Sequence, residues 1–539
     1  MPRPRLPATA ASVAPAADTF PGGHAIAAHR ARRRALLCCI GCAGLALPPL
    51  ARAAMPGESI ASLPALGDAG QGVLSPVLEQ RLGQRIMSEI RQDPHYLRDA
   101  LLRDYLQGIV ERLRKAELAA AEPEAPRHFS VFLLREAVFN AFALPGGHIG
   151  VYTGMVVDAV AEAQVAAVFA HEMSHITQRH IEQRMARAGS NGALSIGSMV
   201  LALLAGVAGS GQAAEGLLLG GQAAVADREL RFSRSNERDA DRVGIGVLRA
   251  SGYPPQAMAS MLERLQYLSR LDDAVVFAFL QDHPLTSERI AYAQELGGDQ
   301  PLPPDTTLRF WLMNARARAL QPTRIEDMRR LARSMRQSQP GRPDKYPAQR
   351  CAWAYCEAVC WLRAGELDRC DAALRQADQL AEGLDSGQHL PLRLLRADWL
   401  LASAKPAQAL ELARKLRAQA PHSTALLHLQ ARALLASPST KTEARDFLRE
   451  QTVLHPHDEQ LWTWLAQAYA ACGEFAAQHR ATAEAYALDG NLEGALMQLH
   501  IAHKTPGADY FEASIIDARL RAMQQRLQQD RALDKMIPQ

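Results

Sequence analysis

Cysteine, aromatic side chains and long apolar runs are all scarce in this sequence. Eight cysteines in 539 residues are too few for a disulfide scaffold. No stretch of roughly 18 apolar residues runs free of breakers, which excludes a polytopic membrane protein. An excess of one charge is missing too: 60 Lys and Arg against 57 Asp and Glu leave a net of +3, which predicts no polyanion partner. Aromatics make up only 6%, yet the chain is 48% apolar, ample for a sizeable core and too much for a disordered protein. At roughly 150 residues per domain the length suggests three or four domains, or fewer plus a repeat array.

The N-terminus reads as an address. Residues 1–29 are rich in Pro and Ala and have no hydrophobic period. Arg30, Arg32, Arg33 and Arg34 follow, then the apolar run Ala35 to Leu50 and the triplet Ala51-Arg52-Ala53. A basic stretch, an apolar run too short for a bilayer and a small-x-small cleavage site describe a signal peptide over residues 1–53, with the mature chain starting near Ala54. Arg33-Arg34 before Ala35-Leu36-Leu37 also has the form of a twin-arginine signal. Seven arginines and one acid, Asp18, lie in this segment, so the remainder is slightly acidic. Cys351, Cys356, Cys360, Cys370 and Cys472 stay in the mature chain, an odd number that leaves at least one without an intrachain partner.

Between Ser75 and Leu118 apolar residues recur at helical spacing (Leu78, Leu82, Ile86, Ile90, then Leu102, Leu106, Ile109, Leu113), which predicts helices. Phe129–Leu134, Ala141–Leu144 and His148–Thr153 read as short strands, the last two joined by the turn Pro145-Gly146-Gly147, and together they predict a small antiparallel β-sheet. Ala161 to Ala188 reads as one long helix closed by Gly189, and Asp227 to Ala250 as another. The Gly- and Ala-rich segment 190–225 between them reads as a lid with helical parts. Residues 297–305 form a linker and the expected domain boundary. Beyond it, Ala409 to Pro421 and Ala444 to Pro456 repeat with an offset of 35 residues, and Trp462, Leu465, Ala466, Tyr469 and Gly473 fall where a tetratricopeptide helix pair has them. The expected organisation is a signal peptide at 1–53, a catalytic domain at 54–300, connecting helices at 301–344 and a repeat domain at 345–539.

The chemistry centres on His171-Glu172-Met173-Ser174-His175. Residues four apart share one helix face, so two imidazoles can grip one metal ion while Glu172 stands beside them to activate water. A hydrolytic zinc site needs a third protein ligand and an open position. Glu237 and Asp241, again four apart, offer that ligand and a carboxylate to hydrogen-bond a ligand imidazole from behind.

With Asn140-Ala141-Phe142-Ala143-Leu144-Pro145-Gly146-Gly147-His148-Ile149 upstream, these motifs in this order resemble the gluzincin metallopeptidases, the group that includes HtpX and the CAAX prenyl proteases. The resemblance covers about residues 75–295. Signal peptide and repeats narrow it to the periplasmic type that enhances β-barrel assembly. It implies a mainly α, zincin-type metallopeptidase domain followed by an α-solenoid of tetratricopeptide-like repeats. It implies zinc held by His171, His175 and Glu237, with Glu172 as general base and acid. His283-Pro284, followed by Arg289-Ile290, matches the segment where that type has a switch histidine that caps the metal and holds the protease latent. The implied partners are the outer-membrane barrel-assembly machinery and unfolded or stalled outer-membrane proteins, in the periplasm.

Two further expectations concern surfaces and thiols. The strand around His148, Ile149, Gly150 and Val151 is expected to be an edge that an extended substrate pairs with. Cys370 pairs with Cys360 or Cys356 across the Ala364-Gly365-Glu366 turn, or all three are buried as small apolar residues. Against an active endopeptidase stands a second reading, a chaperone-like adaptor working through its repeats with its protease latent.

Overall fold

The computed structural model describes residues 76–120, 128–187, 233–303, 305–337, 347–384 and 389–536. The signal peptide at 1–53, the lid at 190–225 and the start of the helix expected from Asp227 lie outside the described residues.

Helices α1 (Pro76–Ile90) and α2 (Ala100–Ala120) lead into three strands, β1 (Ser130–Leu134), β2 (Ala141–Leu144) and β3 (His148–Tyr152). The strand order is β1-β3-β2. Strand β3 runs antiparallel to β2, with Leu144 opposite His148, and parallel to β1, with Ser130 opposite His148. The sheet is therefore mixed rather than antiparallel. Gly146 and Gly147, at φ of +81° and +80°, turn β2 back along β3, and β3 then slots between β2 and β1 instead of lying outside them. This corrects the expectation for His148, Ile149, Gly150 and Val151: they form the central strand, its backbone already paired on both sides. At its middle, a Cβ on Gly150 would come within 2.7 Å of the rings of both Phe132 and Phe142, so only glycine fits between the flanking aromatics.

After the short α3 (Thr153–Asp158) comes α4 (Glu162–Thr177), whose residues are buried from Ala163 to Ile176. Its N-terminus has no cap from its own flank; Asp305 accepts the Glu162 N–H at 2.9 Å from the far side of the fold. The long helix expected through Ala188 is broken. Arg179 takes a left-handed φ of +56°, and α5 (His180–Arg187) restarts in a new direction. Next come α6 (Arg234–Ala250), capped by Ser233, then α7 (Ala257–Leu271), α8 (Asp273–Asp282) and α9 (Ser287–Gly297).

Across residues 297–305 the apolar core continues. Helix α10 (Leu308–Leu320) sets Asn314 against the carbonyls of Val156 and Val157, and Arg316 against Asp99. One cluster of buried side chains extends from Leu82 to Leu429. After α11 (Ile325–Gln337), helices come in pairs: α12 and α13 (Pro347–Arg363, Leu367–Ala381), α14 and α15 (Leu390–Ala402, Pro406–Gln419), α16 and α17 (Thr424–Leu435, Lys441–Leu454), α18 and α19 (Glu459–Cys472, Phe475–Leu488), α20 and α21 (Leu492–Lys504, Tyr510–Met536). All five cysteines of this region are free, and Cys351, Cys356, Cys360 and Cys370 are buried as small apolar residues.

The first helix of several pairs ends in the same turn. The Glu366, Lys405 and Glu474 N–H groups donate back five residues to Trp361, Leu400 and Tyr469. The residue before each has positive φ: Gly365 at +77°, Gly473 at +80°, but Ala404 at +55°. Left-handed backbone costs an L-residue with a Cβ roughly 1–2 kcal/mol, partly offset by the extra unfolded-state freedom of glycine. Ala404→Gly should therefore stabilise the protein by about 0.5–1 kcal/mol, read as a raised midpoint in urea unfolding.

Candidate metal centre

Two helices supply the centre. On α4, His171 and His175 point the same way and Glu172 lies beside them; on α6, Glu237 faces both rings. His283, just after α8, completes the group. His171, Glu172, His175, Glu237 and His283 are at most 2% exposed.

The donor atoms converge. His175 Nε2 lies 3.1 Å from His171 Nε2, His283 Nδ1 lies 3.3 Å from His171 Nε2, and His283 Nδ1 lies 3.0 Å from Glu237 Oε1. Glu237 is 3.5 Å from each of His171 Nε2 and His175 Nε2. A tetrahedral ion with bonds of about 2.0–2.1 Å has ligand-to-ligand edges of about 3.3–3.4 Å, so these residues fit one metal ion. His171, His175, Glu237 and His283 are the four residues that would hold it.

The surroundings fix each ligand. His171 Nδ1 is 3.0 Å from Asp241 Oδ1. Arg289, 3% exposed, clamps Asp241 through Nε at 2.8 Å and Nη2 at 2.9 Å, and its Nη1 meets Glu237 Oε2 at 2.6 Å. Thr286 caps α9 by accepting the Arg289 N–H, which sets the arginine in place. Burial works against charge on Glu237, but His283, Arg289 and His171 together hold its carboxyl well below the usual range. Burial likewise opposes protonation of His171, yet Asp241 and Glu237 draw its ring up to about 9 without a metal. Burial also lifts the Glu172 carboxyl above its ordinary value. Neither Glu172 oxygen has a hydrogen-bond partner among the described residues, and His283 Nε2 stands 3.5 Å from Oε1. A buried carboxylate kept without a hydrogen bond is costly for stability, so its retention calls for an explanation.

Phe279 stacks under His283 with ring centroids 4.7 Å apart, and the Phe139 N–H, just before β2, donates to Val275 O on α8 at 2.8 Å. The segment bearing His283 thus lies against the approach to β2. Sequence reasoning brought together His171, Glu172, His175, Glu237, Asp241 and His283. It placed substrate pairing on His148–Val151, which the sheet order forbids, and it gave no part to Arg289, Asp239 or His180. Only a buried arginine matched to two carboxylates separates Arg289 from any surface arginine, and burial is not visible in the sequence.

Residues 100–296 match Peptidase family M48. Over 497 residues, 89% of this chain and 94% of the relative, the chain is 28% identical to the Beta-barrel assembly-enhancing protease of Escherichia coli (strain K12). It is 28% identical over 474 residues to the protein of the same name from Yersinia pestis, covering 85% of this chain and 90% of that one. Its similarity to the Mitochondrial metalloendopeptidase OMA1 of Schizosaccharomyces pombe is 28% over 224 residues, 40% of this chain and 60% of the relative.

Removal of Arg289 leaves Asp241 and Glu237 buried and short of a cation. Arg289→Ala should destabilise the metal-free protein by about 3–5 kcal/mol in denaturant unfolding. With two helices presenting His171, His175 and Glu237 to one point, residues 100–296, the part that matches Peptidase family M48, form a metallopeptidase domain.

Proposed function

We propose that the protein is a zinc endopeptidase of the periplasm that degrades stalled or misfolded outer-membrane β-barrel proteins and assists their assembly, and that His283 holds it latent. The observation that carries this reading is the four-donor set itself. Three ligands, His171, His175 and Glu237, suit a catalytic zinc, which keeps one position open; His283 fills the fourth. Similarity along most of the chain to proteases named for β-barrel assembly supports the substrate class and the cell envelope. Among the described residues no helix is long and apolar enough to cross a membrane. The repeat helices following α11 are the surface we assign to the assembly machinery or its clients.

When bound, zinc supplies a Lewis acid that polarises the scissile carbonyl and acidifies water. Glu172 then has one task, to take a proton from the attacking water and hand it to the departing amine. Its raised carboxyl suits both halves of that exchange. Asp241 keeps His171 in the tautomer that offers Nε2, and Arg289 keeps Asp241 ionised and in place. An extended substrate requires an outer strand rather than β3, and of the two β1 is already engaged by Leu97, whose N–H donates to the Leu133 carbonyl at 2.9 Å, which leaves β2. Helix α8, which His283 follows, is bonded through the Val275 carbonyl to Phe139 just before β2, so we assign release of His283 and access to β2 to one motion.

The same closure favours a second reading, an adaptor acting through its repeats with the protease silent. Zinc content and cleavage of an unfolded outer-membrane protein separate the two. We expect one zinc per chain, loss of about 10²–10⁴-fold in cleavage for Glu172→Gln, and faster cleavage than wild type for His283→Ala. No cleavage by His283→Ala with zinc bound would leave only the adaptor.

A further inference from the structure

We propose that His180 is a positioning residue for the metal ligand His175, joined to Asp239 in a relay behind the ring. The inference rests on the reading of the centre as a zinc site.

His180 is 2% exposed, and its Nδ1 lies 3.0 Å from Nδ1 of His175. Two ring nitrogens at that distance require one to carry the proton and the other to accept it. His175 turns Nε2 to the centre, 3.1 Å from His171 Nε2 and 3.5 Å from Glu237, so its proton sits on Nδ1 and is donated to His180. His180 must then be protonated on Nε2, the nitrogen that faces Asp239 Oδ2 at 3.6 Å. Asp239, 7% exposed, is in turn held by Arg242 at 2.5 Å.

The arrangement repeats the arm behind the other histidine. His171 is backed by Asp241 and Arg289; His175 is backed by His180, Asp239 and Arg242. Both carboxylates come from alternate positions of α6, so one helix orients both imidazoles. The extra ring spans the greater gap on the His175 side.

The chain is bent to make this possible. Had α4 continued, residue 180 would lie about 140° around the helix from residue 175, facing elsewhere. Arg179 at a φ of +56°, a conformation disfavoured with a Cβ, ends the helix and turns His180 back onto His175. Asn236 Nδ2 donates to Gln183 Oε1 at 3.3 Å, tying the restarted helix to α6.

The test is zinc affinity of the full-length protein, measured by competition with a chelator, for wild type, His180→Leu, His180→Asn, Asp239→Asn and the Leu/Asn double variant. Loss of an orienting partner weakens a metal site about 10–100-fold, and we expect that loss for His180→Leu. His180→Asn places its side-chain oxygen where Nδ1 lies and should recover most of it. Asp239→Asn should weaken binding in the same direction, and the double variant should bind no more weakly than His180→Leu alone, because the two act in series. Wild-type affinity in His180→Leu, equal losses for Leu and Asn, or additive losses in the double variant would each reduce His180 to a packing residue. Where the Leu variant fails to fold, Asp239→Asn decides: unchanged affinity overturns the relay. Absence of stoichiometric zinc from the wild type would instead defeat the zinc reading beneath it.

Discussion

Close approach of α4 and α6 is the constraint on which the centre depends. A Cβ on Gly244 of α6 would lie 3.3 Å from the backbone of Ala170 on α4, so the two helices meet with almost nothing between them. Ala166, Ala167 and Ala170 keep the facing side of α4 small. That contact brings Glu237 within ligand distance of His171 and His175, and it buries Glu237, Asp239 and Asp241 on one helix. Buried carboxylates are tolerated only when paired. Arg289 and Arg242 answer them on the protein's side, and the imidazoles answer them from within, as a cation held by the four donors would. The packing that forms the site also creates the electrostatic demand a metal ion satisfies.

Closure of the site draws on the same logic. His283 Nδ1 lies 3.0 Å from Glu237 Oε1 and Phe279 stacks beneath the ring, so a polar and an apolar contact together hold His283 over the centre. In the proposed latent state, His283 Nε2 stands 3.5 Å from Glu172, whose oxygens lack a hydrogen-bond partner among the described residues.

Much of the centre was legible because α-helical spacing of four links sequence to space directly. His171 with His175, and Glu237 with Asp241, needed only that period. The parts that escaped depend on tertiary structure. Strand His148–Tyr152 looked like an edge because the turn before it is local, whereas its pairing with β1 involves a strand 18 residues earlier and carries no sequence signal. His180 escaped because neither glycine nor proline marks the break at Arg179, and a continued helix would have turned it away. The repeat pattern was visible in its small and aromatic positions, but the continuity of the core from α1 to Leu429 was not, since residues 297–305 read as a gap. His283 was legible only through resemblance, because a histidine before proline is ordinarily a turn residue.

How the repeats attach bears on how the latch can move. Asp104 on α2 accepts from Ser423 Oγ and the Ala425 N–H, capping α16 from outside. Arg91 reaches the Leu488 carbonyl, and Arg98 pairs with Glu459 and Asp489. These links run to α2 and to the loop between α1 and α2, distant in sequence from α8. Helix α8 instead packs chiefly on α7 and is held to the strands through Phe139. None of the links named between these elements and the repeats involves α8 or His283. Arg98 and its partners are partly exposed and contribute little each. The apolar core beneath them is what keeps the repeats in place.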